Sequence, residues 1–170
     1  MKTTKRLCLC AVLCAAALTV FIVEAQLPLP IPVPGVKLGL ANIFTLFALM
    51  YLTPREAAAI LLVRILLGSI FTGQPSVLIY SLSGGVLCLI GEALLLKLIG
   101  KKFIWETSVF GAMLHNTAQI ICAAVITNTA SVFWYLPPLF IAAAVTGAFC
   151  GLCISAFDKA CGGRIQKMIK

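Results

Sequence analysis

The sequence predicts an all-α polytopic membrane protein, a single six-helix transmembrane bundle. Three observations predict it. The chain is 62% hydrophobic and only 11% charged, against roughly 45–50% and about 25% for a soluble domain. Its mean hydropathy is +1.11, so lipid is the solvent that suits its surface. Its apolar runs are separated by short turns rich in Pro, Gly and Lys. At about 20 residues per crossing, 170 residues supply six spans. One integral membrane domain, 1–170, then accounts for the chain.

The first span is read at 7–27, after the basic Lys2, Lys5 and Arg6. A signal peptide cut after Val23-Glu24-Ala25 is the alternative. The apolar run is long for that, and a retained helix completes an even count. The segment 28–37 holds four prolines at alternating positions. Each lacks an N–H and fixes φ, so this is an extended loop. The second span is read at 39–52. Pro54 suits the first turn of the third, at 55–71. The turn 72–76 leads to a fourth span at 77–99, a loop at 100–102 to a fifth at 105–126, and a turn at 127–131 to a sixth at 133–157. A basic tail follows.

The cations sort by side. Lys2, Lys5, Arg6, Arg55, Lys97, Lys101, Lys102, Lys159, Arg164, Lys167 and Lys170 fall on one side, and Lys37 alone on the other. That asymmetry predicts a cell-membrane protein with both termini cytoplasmic and the proline loop outside. It also explains the net charge of +8 without nucleic acid, since these cations border an anionic leaflet.

Ionisable groups within spans are costly and become functional candidates. At about 1.5 Å per residue, Arg64 lies roughly 10–14 Å and Glu92 roughly 8–10 Å from the cytoplasmic side. An Arg64–Glu92 pair or shared network is expected, either as a structural bridge or as a coupling element. The fifth span carries His115, Asn116 and Gln119 within about 100° of one another. Such groups can simply join helices, but three on one face of an apolar helix point to a binding face. With Glu24, Lys37, Asn42 and Gln74 they are expected to line a pocket open to the outside and capped by the proline loop. Glu24, Lys37 and Gln74, taken singly, are read as wet interfacial residues.

Small residues mark close packing. Ala11 and Ala15 form AxxxA in the first span, and Gly147 and Gly151 form GxxxG in the sixth. The GxxxG serves contacts within one chain or between chains. Six of the eight cysteines sit inside apolar runs, where Cys is a small hydrophobe. Cys150 and Cys153 form a CxxC without a second pair or a His cluster, so no metal and no cofactor is expected. No phosphate-binding GxxxxGK[ST] is present. Asp158 is the single aspartate, so the clustered aspartates that hold magnesium and diphosphate are missing. No Ser/His/Asp set can be built either. The chain is not expected to be an enzyme.

The segments PGVKLGLANI (34–43), PREAAAILLVRILLGSIFTG (54–73), SLSGG (81–85) and GAMLHNTAQ (111–119) resemble the membrane proteins labelled heptaprenyl diphosphate synthase component I, also called the Gx transporter family. These are similar in turn to the substrate-binding S components of energy-coupling factor (ECF) transporters. The resemblance implies six helices, an outward pocket and a helix-one AxxxA, here Ala11 and Ala15, that docks on a membrane T subunit working with two ATPases. It thus implies small-molecule uptake, of a vitamin or a quinone or isoprenoid precursor. The alternative is a non-catalytic membrane subunit of heptaprenyl diphosphate or quinone synthesis. The sparse charge of the expected pocket suits a neutral or weakly anionic substrate.

Overall fold

Local sequence signals set the helix ends. The computed structural model describes residues 2–26 and 37–169, so the proline run lies outside the described residues. Among the described residues there are six α-helices: α1 Lys2–Ala25, α2 Asn42–Tyr51, α3 Pro54–Thr72, α4 Pro75–Ile99, α5 Ile104–Thr127 and α6 Leu136–Ile169. Thr53 and Glu56 form a reciprocal cap at the start of α3. The Thr53 hydroxyl accepts from the Glu56 N–H, and the Glu56 carboxylate accepts from the Thr53 N–H at 2.7 Å. This satisfies two amides that the first turn leaves free. Gly73, at φ +65°, ends the helix in the left-handed region.

Among the described residues, four helical stretches are long and apolar enough to cross a membrane: Thr4–Ala25, Pro75–Ile99, Lys101–Thr127 and Ala130–Lys167. The chain is therefore an all-α, multi-span membrane protein. Two of the expected spans differ from these. α2 has ten residues and reaches about 15 Å, half of a hydrocarbon core of about 30 Å. α3 carries Arg55, Glu56 and Arg64. The sixth helix also runs past the expected end at 157 to Ile169, so the basic tail is helical.

Contacts between helix ends fix an alternating arrangement. Arg6 of α1 pairs with Glu56 of α3 at 2.8 Å. Lys101, after α4, donates to the Met50 carbonyl of α2, and Tyr51 of α2 donates to Asp158 of α6. All these groups share one end of the bundle. Glu24, Lys37 and Gln74 belong to the other. The outer face is apolar: Val125, Ile141 and Leu152 are 74%, 70% and 62% exposed. In lipid that face is solvated rather than stranded.

α5 is the hub, packed most extensively on α4 and α6. The GxxxG of α6 is used here. A Cβ on Gly147 would sit 2.6 Å from the Val109 Cα, and one on Gly151 would strike the Trp105 backbone. Only glycine lets the two backbones approach so closely. Gly68 of α3 gives Phe21 of α1 its seat in the same way.

Candidate functional site

The core of this apolar bundle contains a chain of polar groups. Arg64 of α3 donates through Nη2 to Asn42 Oδ1 at 2.9 Å. Asn42 Nδ2, at the start of α2, stands 3.0 Å from His115 Nδ1 on α5. His115 Nε2 stands 3.0 Å from Gln119 Nε2, one turn further along. Gln119 Oε1 accepts the backbone N–H of Lys37 at 3.1 Å. The five residues are at most 7% exposed. Their spread over three helices and a connecting segment means that tertiary folding assembles the site. The one-turn spacing of His115 and Gln119 is the part set by a single helix.

The ends of this chain are charged. The Lys37 ammonium lies 3.3 Å over the Phe21 ring and donates to the Phe21 carbonyl at 3.4 Å. The Arg64 guanidinium lies 5.8 Å from the same ring. Such contacts compensate partly buried cations. Burial pushes the Lys37 ammonium from the usual 10.5 down to about 8, against the nearby Glu24. Glu24 accepts the Gly39 N–H through Oε1. Its Oε2, like Arg64 Nε, is buried without a partner among the described residues.

Two glycines clamp the imidazole. A Cβ on Gly84 of α4 would lie 2.7 Å from His115 Cε1 and Nδ1. One on Gly39 would lie 2.9 Å from His115 Cδ2. Gly39 also has φ +81°, a conformation that side chains disfavour.

The expected site residues divide. Lys37, Asn42, His115 and Gln119 come together. Asn116 lies in the same helix but donates to the Leu139 carbonyl of α6 at 3.0 Å, so it joins two helices beside the chain. Arg64 and Glu92 are both buried, but no hydrogen bond or ion pair joins them directly. Arg64 serves Asn42 instead. Glu92 lies against Gly111, with Oε2 unpartnered. A cavity of about 10 Å³ separates Asn42 and Gly39 from Glu92, Ser108 and Thr146, room for about one water. Glu24 and Lys37 are buried rather than wet, at 3% and 5% exposure, whereas Gln74 is exposed as expected. Ala11 and Ala15 are exposed on α1.

Phe21, Gly39 and Gly84 join the site without having been singled out for it, and Glu24 joins it as a buried group rather than a wet one. A signal for Phe21 and Glu24 was present. Leu13, Ala17, Phe21 and Glu24 fall at steps of four, four and three, the stripe of a packed helix face. Glu24 continues that stripe into the core.

A family model described as heptaprenyl diphosphate synthase component I matches residues 13–157. No curated protein matches the chain. No solved structure matches it.

Proposed function

The chain belongs to the heptaprenyl diphosphate synthase component I family, and from that premise we propose that it is the substrate-binding membrane component of a small-molecule uptake transporter. The chain is not an enzyme: the clustered aspartates that hold magnesium and diphosphate are missing, with Asp158 its single aspartate. One observation carries the uptake reading. A helical bundle facing lipid buries five linked polar residues, Arg64, Asn42, His115, Gln119 and Lys37. Buried polar groups in a membrane are costly and mark substrate paths.

In this reading the cluster is reached from the Glu24–Lys37 end, which faces outside. Lys37, Asn42, His115 and Gln119 hold the substrate. Arg64 links the site to α3, which packs on α1. The exposed Ala11 and Ala15 then meet a T subunit driven by two ATPases, as the resemblance to ECF S components implies. A shallow groove between α1 and α3, lined by Cys10, Ala11, Cys14, Ala59 and Val63, continues that face. Both termini are cytoplasmic.

The family description itself favours a second reading, a membrane subunit that holds a soluble prenyl synthase chain. Affinity purification from native membranes in mild detergent separates the two. Recovery of a T subunit and two ATPases, lost in an Ala11→Leu/Ala15→Leu variant, supports uptake. Recovery of a prenyl synthase chain without ATPases sinks it.

A further inference from the structure

The polar chain contains more donors than acceptors. Its two ends, the Arg64 guanidinium and the Lys37 backbone N–H, can only donate. Between them stand two amides and one imidazole, joined by four contacts. The available acceptors are Asn42 Oδ1, Gln119 Oε1 and one nitrogen of a neutral imidazole, three for four contacts. One contact therefore sets N–H against N–H. Turning either amide over, or moving the imidazole proton, shifts the mismatch along the chain without removing it. Protonating the imidazole adds a donor. The α4 backbone packs against the ring at Gly84, and one carbonyl there can take a single N–H and still leaves a donor over. Arg64 Nε, buried without a partner among the described residues, is a further one.

Buried donors without acceptors are rare in folded proteins, and each calls for a reason. Among the described residues no further side chain is bonded to these donors, and an oxygen brought by a ligand meets the deficit. The charge of the cluster limits what that oxygen belongs to. Arg64 and Lys37 stand with the carboxylate of Glu24, while Glu92 is buried across a water-sized cavity, so the cluster carries at most one net positive charge. A diphosphate would bring several negative charges into this centre removed from water, more than it can match, a costly transfer. A carbonyl oxygen brings the acceptor without the charge.

We infer that the His115 cluster recognises a neutral ligand by a carbonyl-type oxygen and excludes a diphosphate. The inference rests on the proposed substrate role of this cluster and names the chemical class that the site selects. The oxygen takes the surplus N–H among Asn42, His115 and Gln119. Gln119 is the pivot, because its amide lies between the imidazole and the Lys37 N–H.

The single histidine of the chain makes the test direct. Full-length protein in lipid nanodiscs, labelled with nitrogen-15 at histidine, is titrated with 2-acetylnaphthalene, with 2-ethylnaphthalene of the same shape, and with geranyl diphosphate. The expected result is a saturable shift of the imidazole signals with the ketone, at about ten-fold or lower concentration than with either of the others. No response to the ketone, an equal response to the hydrocarbon, or a preference for the diphosphate overturns the inference. A second arm uses Gln119→Glu, whose carboxylate accepts from both the imidazole N–H and the Lys37 N–H, so the variant should lose the ketone response; a response equal to wild type overturns the inference. Co-purification of the ATPases does not depend on the ligand class, so the uptake reading stands or falls separately.

Discussion

Arg64 Nη2 lies 2.9 Å from Asn42 Oδ1, a bond that joins α3 to the first residue of α2 in the interior of the bundle. The same amide turns its nitrogen to His115 at 3.0 Å. Asn42 thus ties a buried cation to the residue at the centre of the site. Removing its oxygen leaves the guanidinium without its hydrogen-bonded side-chain partner. Asn42→Leu should therefore destabilise the protein by about 2 kcal/mol, read as a lower melting temperature in mild detergent. Asn42→Asp keeps an acceptor for Arg64 and should lose much less. Equal losses would show that Arg64 does not depend on this bond.

Gly84→Ala separates site geometry from stability. The added methyl would lie 2.7 Å from two atoms of the imidazole, so the ring must shift. Substrate binding should fall by about ten-fold or more, as expected when an oriented polar contact is displaced, while the chain still inserts and folds. Gly163→Ala, which meets nothing within 4 Å, is the control and should change neither.

The two small-residue motifs should respond differently. Gly147→Leu forces a side chain into the Val109 backbone and should cost about 1–3 kcal/mol, as overpacking does. Ala15→Leu projects from an exposed face and should leave the melting temperature within about 0.5 kcal/mol of wild type. Its effect should appear in partner recovery instead. A destabilised Ala15→Leu variant would place that face inside the fold.

Lys37 gives a pH dependence of defined sign. Its folded value is lowered to about 8 from 10.5, chiefly by burial. Between those values the unfolded chain binds the proton more tightly, so this group makes stability rise with pH across that window. Below about pH 8 the burial penalty is present in full. Lys37→Met removes the charge, so the stability difference between variant and wild type should change between pH 8 and 10.5. A constant difference would mean that Lys37 titrates normally.

Much of this was legible in the sequence. Composition and run lengths announce a helical membrane protein, and the turn residues place most helix ends within a few positions. His115 and Gln119 are one turn apart in an otherwise apolar helix, so their shared face follows from periodicity. The rest depends on packing between helices. Arg64 and Asn42 are 22 residues apart, and depth arguments alone made Glu92 the natural partner of Arg64. The burial of Glu24 and Lys37 runs against the usual solvation of charges near a helix end. The short α2 carries the hydropathy of a span but not its length. GxxxG is neutral between neighbours, and only the fit of Gly147 and Gly151 on α5 assigns it to contacts within the chain.

The central claim is that the cluster around His115 is a substrate site. Native mass spectrometry of the full chain, released gently from its own membranes, tests it most directly. The account predicts a small neutral molecule retained by wild type and lost in both Asn42→Ala and Gln119→Ala. A ligand retained equally by these variants, or wild-type protein that carries none when taken from membranes of growing cells, would contradict it.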